Sequence, residues 1–408
     1  MPELKRILHQ LFLGDMLFRL LPIRRDRFLF TSFYGLHYSD GPRAISERLH
    51  EAYPEAEIYW AFTDDAAHEL PSYVRPLSMD SVVYYRVKAT AGAIISNVFI
   101  QGAYLSGSRR RDWLTRLHLR LENRRKQISV TTWHGTPYKK MGKDQVGAAP
   151  QSFVCNQPCY YLVGNRFEEE RMMHLTDGQL TPLHFGSPRV ANAVHPNPAR
   201  VAEIRARLGL LPEERVILYA PTFRSGPNGP EPERSGLSQL AAFSVSEADK
   251  ALRAHLGWKQ SWKLFCRFHN YVERAVDWSS IDPAVRNGNE LEDIADYYLV
   301  ADIVVTDYSS VMFDAMQAGI PVLLLCPDLS TYLNQERGLY FRPEELPFPT
   351  INGWEALGNG LARLNSPAYR EAVAAFMDSL GCYKSDGVLD RIAAFLMHVE
   401  DERRDSLP

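Results

Sequence analysis

The chain has 408 residues, 45 % of them apolar and 23 % charged, with a formal net charge of −3. That length is too great for one ordinary core and predicts about two soluble domains. The near balance of charge excludes a global nucleic-acid-binding surface, so any electrostatic function has to lie in local patches.

The first residues, 1–27, mix Leu11, Phe12, Leu13, Met16, Leu17, Phe18 and Leu20 with Lys5, Arg6, Arg19, Arg24, Arg25 and Arg27. No segment reaches the roughly 18 uninterrupted apolar residues of a spanning helix, and no small-residue cleavage site follows. The stretch therefore reads as an amphipathic segment, lying on a membrane surface or packed on the protein's own core.

From Phe28, apolar runs alternate with helical stretches. Strands are expected at Phe28–Phe33, Ile58–Phe62, Ala93–Ser96, Ile128–Trp133, Tyr160–Val163 and Leu183–Phe185, with helices such as Pro42–Ala52 and Asn165–Leu175 between them. Within this series, Arg109 to Lys126 carries eight Lys/Arg against Asp112 and Glu122. Trp113, Leu114, Leu117 and Leu121 recur there at helical spacing. Such a stretch suits anionic lipid, or equally a solvated helix on the first domain.

After the polar run His195 to Glu214 a second series begins: Val216–Ala220, Lys263–Phe268, Ile303–Thr306 and Val322–Leu325, with a helix at Leu291–Val300. Ser225 to Gly236, rich in Gly, Pro and Glu, reads as a mobile loop. This alternation predicts an α/β protein of two Rossmann-like domains, 28–210 and 211–408, the second including the C-terminal helix. Sites in such sheets lie beyond the carboxyl ends of strands, which two domains can turn towards each other across a cleft. Five scattered cysteines (Cys155, Cys159, Cys266, Cys326, Cys382) form no zinc pattern and are expected as reduced thiols.

Four blocks sit at strand ends. His134-Gly135-Thr136-Pro137-Tyr138-Lys139-Lys140 follows the strand ending at Trp133. Its histidine can titrate near neutrality and take a proton from a hydroxyl, with Lys139 and Lys140 suited to a phosphate-bearing acceptor. A turn-capping structural histidine is the simpler alternative. Tyr219-Ala220-Pro221-Thr222-Phe223-Arg224 delivers Arg224, a planar fork for phosphate oxygens. Arg267-Phe268-His269 places two candidates on one face of an extended chain, His269 nearer the strand end. Thr306-Asp307-Tyr308-Ser309-Ser310 leads into a helix bearing Asp314. The helix end and serines suit a pyrophosphate and Asp314 a ribose, although an Asp/Ser N-cap explains part of the run. No Gly-x-Gly-x-x-Gly or Walker loop and no Asp-x-Asp pair is present, so neither cofactor nor catalytic metal is expected.

In order and spacing these blocks resemble the CDP-glycerol glycerophosphotransferase family of teichoic-acid and capsule primases and polymerases. The match covers His134 to Gly142, the blocks from Tyr219 and Thr306, Tyr38-Ser39-Asp40-Gly41-Pro42, and Asp328 through Tyr332 to Tyr340. Gly41 stands where the family often has Asn, and Phe223 where Trp is frequent.

The resemblance implies a GT-B-like fold, with the acceptor in the first domain (Asp40, Lys139, Lys140) and the CDP-linked donor in the second (Arg224, Asp307, Ser309, Ser310, Asp314). It also implies catalytic roles for His134 and His269. A polyol phosphate would pass to a lipid-linked, phosphate-containing acceptor at the inner, anionic membrane face, releasing CMP, with no nucleic-acid partner. A GT-B sugar transferase, which releases a nucleoside diphosphate, and a non-catalytic polymer-binding protein are the alternatives.

Overall fold

The computed structural model describes residues 17–63, 68–100, 102–105, 112, 113, 115–117, 119, 127–145, 152–155, 158–226, 229–274, 276–335 and 338–405. Most of the expected segments 1–27 and 109–126 lies outside them. The chain divides into two compact units.

Unit 1 comprises residues 1–134, 142–191 and 383–408. Its sheet is built from β1 (Arg24–Thr31), β2 (Glu57–Phe62), β3 (Val74–Ser78), β4 (Ala91–Ser96), β5 (Ile128–Thr131), β6 (Cys159–Leu162) and β7 (Thr181–Leu183), in the order β3-β2-β1-β4-β5-β6-β7. All neighbours are parallel. Side chains alternate across a strand, so β1 sends Phe28 and Phe30 to one face and Leu29 to the other. On the first face they join Trp60, Ile95 and Val130, covered by Ile45 and Leu49 of α1 (Asp40–Ala52) and by Ile392 and Leu396 of the terminal helix Val388–Asp405. On the other, Leu29 and Ile94 meet Val87 of α2 (Val82–Thr90). Burial on both faces is why the inner runs of the central strands, such as residues 28–30 and 93–95, are apolar.

Unit 2 comprises residues 135–141 and 192–382. Its parallel sheet runs β10-β9-β8-β11-β12-β13, from β8 (Arg215–Ala220), β9 (Trp262–Cys266), β10 (Val285–Asn287), β11 (Ile303–Thr306), β12 (Val322–Leu325) and β13 (Thr350–Ile351). Ile217, Leu264, Val305 and Leu323 pack under Leu252 of the helix Val245–Leu256 and Leu361 of the helix Leu357–Leu364.

This division differs from the expected boundary near residue 210. The terminal helix lies with unit 1, because Ile392 and Leu396 complete that unit's core. Where a mobile loop was expected at 225–236, the described residues 225, 226 and 229–236 are paired or packed. Ser225–Gly226 pairs with Gly229–Pro230, the Ser235 hydroxyl oxygen accepts from the Arg224 N–H at 2.8 Å, and Ser235 is buried. Gly236, at φ 107°, lies so close to Pro221 that a Cβ would stand 2.6 Å from its ring. A glycine here is what lets the segment pack down.

Candidate active site

In unit 1, β5 ends at Thr131 and the chain turns through Trp133, whose φ is 52°. His134 follows, half-buried, its ring 4.1 Å from that of Trp133 and 6.2 Å from that of Phe33. Its Nδ1 lies 3.2 Å from the carbonyl oxygen of Asn97, just past β4. A carbonyl only accepts, so Nδ1 carries the hydrogen and the neutral ring keeps its lone pair on Nε2. Burial pushes the imidazole pKa below its ordinary 6.5; the Asn97 carbonyl and the Asp40 carboxylate oppose that shift, and Arg189 reinforces it. At pH 7 His134 is therefore a neutral imidazole with its lone pair on Nε2.

Asp40 opens α1 at φ 69° and is buried. Its carboxylate accepts from the Arg189 guanidinium at 2.6 Å and from the Asn97 amide at 2.8 Å. These bonds place its carboxylate among the groups around His134. Asn97 and Arg189 stand in none of the four blocks. The one sequence signal for Asn97 was its place directly after a predicted strand.

In unit 2, residues 135–141 lie along the 338–340 segment. Lys139 bridges Leu339, the Lys140 N–H donates to Gly338 O at 2.7 Å, and the Tyr340 N–H donates to Tyr138 O at 2.9 Å. Gly135, at φ 111°, makes the turn the sequence expected, and a Cβ there would stand 3.5 Å from an Asp314 oxygen.

A cavity of about 750 Å³ within unit 2 is lined by Lys139, Thr222, Phe223, Arg267, His269 and Ser309 among others. Four of the cationic or hydroxyl candidates thus meet in one place, from loops after β8, β9 and β11 and from the 135–141 segment. Arg267 donates to the carbonyls of Gly288, Leu291 and Glu292 at 3.0, 2.6 and 2.7 Å. These neutral partners fix the guanidinium and leave its charge intact. His269 is exposed and stacks on Phe223 at 4.1 Å. Burial lowers its pKa too, so near pH 7 it offers a neutral N–H or a lone pair rather than a charge. Lys139, expected to serve the acceptor, instead lines this cavity. The Ser309 hydroxyl oxygen accepts from the Val311 N–H at 3.4 Å, and Ser310 stands at the N-cap position of the helix Val311–Gln317 without a side-chain cap bond.

Three expected donor ligands are committed elsewhere. Arg224 is 2 % exposed. It bonds Asp307 through both terminal nitrogens at 3.1 Å and Asp328 at 3.2 Å, with its guanidinium 5.2 and 5.1 Å from the rings of Tyr308 and Tyr332. Asp307 also accepts from the N–H groups of Thr222 at 2.8 Å and Tyr308 at 2.6 Å. The pair locks the two loops that carry Phe223 and Ser309, and a charge so neutralised has little left for a phosphate. Asp314 is 1 % exposed and accepts from the Tyr298 hydroxyl at 3.3 Å, which closes it to a ribose. Sequence spacing located all three at the right sheet edge; it could not show that their partners were other protein groups.

A family model described as CDP-Glycerol:Poly(glycerophosphate) glycerophosphotransferase matches residues 14–398. The chain is 27 % identical over 385 residues to the teichoic acid poly(glycerol phosphate) polymerase of Bacillus subtilis (strain 168), covering 90 % of this chain and 48 % of that protein. It is 28 % identical over 413 residues to the teichoic acid glycerol-phosphate transferase of Staphylococcus aureus (strain NCTC 8325 / PS 47), covering 94 % and 95 %. It thus spans about half the length of the first relative and nearly all of the second. Among solved structures, that of the wall teichoic acid polymerase TagF soaked with CDPG superposes with a TM-score of 0.73 at 23 % identity, covering 98 % of this chain and 94 % of that one. The fold of two Rossmann-like domains is shared, and the chain belongs to the CDP-glycerol:poly(glycerophosphate) glycerophosphotransferase family.

Proposed function

We propose that this protein transfers glycerol phosphate from CDP-glycerol to a hydroxyl of a lipid-linked or polymeric acceptor, releasing CMP, in the synthesis of a teichoic-acid-like polymer. The observation that carries the chemistry is His134: its Nδ1 is tied to a carbonyl and its Nε2 is left as a neutral base. Nε2 takes the acceptor's proton as the hydroxyl oxygen forms its bond to the β-phosphorus of the donor. The bond from that phosphorus to the bridging oxygen breaks, and the electron pair leaves with CMP.

The unit 2 cavity takes the donor. Lys139 and Arg267 supply its positive charge, His269 a neutral hydrogen-bonding group, and Ser309 a hydroxyl. Fixed cations around a transferring phosphoryl group stabilise charge on its oxygens without reorganising when the reaction occurs. The family description supports glycerol as the polyol.

A lipid-linked acceptor places the enzyme at the inner face of the membrane. No helix among the described residues is long and apolar enough to cross one. Leu20 and Trp113 are 85 % and 61 % exposed, and Leu17 and Leu117 are exposed as well. These residues belong to the N-terminal and 109–126 segments, whose apolar-plus-basic composition suits an anionic lipid surface. Incubation with CDP-glycerol, CDP-ribitol and nucleotide-sugars tests the reading directly. CMP from CDP-glycerol with a lipid-linked acceptor is expected; a nucleoside diphosphate from a nucleotide-sugar would assign a glycosyltransferase instead. Flotation with anionic but not neutral liposomes is the matching result for the membrane.

A further inference from the structure

Asn97 is completely buried at the carboxyl end of β4 and makes three hydrogen bonds to three separate segments. Its backbone carbonyl accepts from His134 Nδ1 at 3.2 Å. Its side-chain oxygen accepts from the Phe33 N–H at 2.8 Å, and its amide nitrogen donates to the Asp40 carboxylate at 2.8 Å. Each partner sits on or beside backbone that L-residues disfavour. Phe33 and Tyr34 have φ of 45° and 60°, Asp40 69°, and Trp133, next to His134, 52°. Of the five non-glycine residues with positive φ among those described, four therefore belong to the loops that meet at Asn97. Conformations of that kind persist only where their surroundings over-determine them.

The bonds are also matched in kind. An amide offers one acceptor and two donors, so it can serve an N–H and a carboxylate together; an ionised Asp, which only accepts, could not do both. The charged side chains acting on the imidazole are Asp40, from the start of α1, and Arg189, from the loop after β7. They pair with each other at 2.6 Å. The remaining ring neighbours, Phe33, Trp133 and Asn97, are uncharged.

We propose that Asn97 is the positioning residue for His134, holding the three strained loops in register so that the imidazole keeps its Nδ1–H and presents Nε2 to the acceptor hydroxyl. The inference rests on the transfer reading above for its kinetic readout, and a spectroscopic one stands apart from it.

The test uses the full chain with Asn97→Ala and Asn97→Asp. For Asn97→Ala, kcat/KM for CMP release is expected to fall about 100-fold, the usual penalty for a catalytic group displaced by about an ångström. Calorimetric affinity for CDP-glycerol should stay within about twofold, because the donor cavity lies in unit 2. Asn97→Asp keeps the acceptor for the Phe33 N–H and sets a second carboxylate behind the imidazole. It is expected to raise the His134 pKa, and with it the acid limb of the pH–rate profile, by roughly one unit. An Asn97→Ala enzyme with wild-type rate and profile overturns the proposal. Should that variant lose its fold, seen as a collapsed Tm and lost donor binding, an unmoved acid limb in Asn97→Asp overturns it equally. If the wild-type chain releases no CMP, the transfer reading fails; the His134 pKa measured by NMR in Asn97→Asp then decides alone, and an unshifted value rejects the role.

Discussion

A neutral imidazole with one nitrogen committed to a carbonyl has a single free position from which to act, and that fixes what its removal should do. His134→Ala is expected to lower kcat by about 10² to 10⁴, the range for loss of a general base, with the CDP-glycerol dissociation constant measured by calorimetry unchanged. Because burial lowers its pKa, the base form fills as pH rises through a value below 6.5. The pH profile of kcat/KM should therefore fall only below pH 6.5 and be flat at pH 7.

Two arginines at the same sheet edge should behave oppositely. Arg224→Ala leaves Asp307 and Asp328 without their cation, which for a buried pair costs about 3 to 5 kcal/mol of stability by urea titration. Arg267→Ala breaks only bonds to carbonyls, so its larger effect is expected on the KM for the donor. At this scale the sequence was legible for the place of His269, Lys139 and Ser309, whose block positions bring them to one cavity. Asn97 and Arg189 stood out in no block, because their hydrogen bonds to His134 and Asp40 join residues distant in the chain. Arg224 and Asp314 looked like ligands for the same reason: spacing shows where a side chain is, but not what already occupies it.

Most of the strands that could be read in advance are buried on both faces; β7, an edge strand, is the exception. Ile303–Thr306 and Val322–Leu325 have the limits expected of them, and most of the others differ by two residues or fewer at either end. Those passed over, β3, β10 and β13, lie towards the outside of their sheets and are short, and β3 contains Pro76. An outer strand needs neither a continuous apolar run nor every N–H, which removes the signal on which recognition depends. The expected helix Leu291–Val300 shortens to Ile294–Tyr298, because the Asp293 carboxylate accepts from the Ala295 N–H at 3.0 Å and sets its start. The 225–237 segment offers the test at this level. Gly236→Ala should destabilise by about 1 to 3 kcal/mol, since a Cβ meets Pro221 and Phe268 at a positive φ. It should also weaken donor binding, because both of those residues line the cavity. Tyr138→Phe is the control: its buried hydroxyl has no hydrogen-bond partner among the described residues, so stability measured by urea should be unchanged or slightly raised.

For the molecule as a whole, alternation of strand and helix announced two Rossmann-like domains, but contiguous halves are what such a pattern suggests and not what the chain builds. The terminal helix returns to cover Phe28, Ile58 and Ile95 in unit 1, and no local property of its sequence distinguishes that sheet from the other. Deleting residues 383–408 should therefore unfold unit 1 while unit 2 keeps its donor cavity. Lost cooperativity of the first transition in calorimetry, with CDP-glycerol still bound, is the expected signature.

The block that begins at His134 is itself divided: the histidine belongs to unit 1 and residues 135–141 to unit 2. This bears on how such enzymes can be recombined. A chimera made by exchanging everything after residue 191 would import a foreign tail and strand residues 135–141 on a host they do not match. A workable graft must exchange two separate stretches, 135–141 and 192–382, and leave the native C-terminus in place. The seven-residue piece pairs with the 338–340 segment, nearly 200 residues further along the chain, so a graft that keeps one and replaces the other would break that pairing.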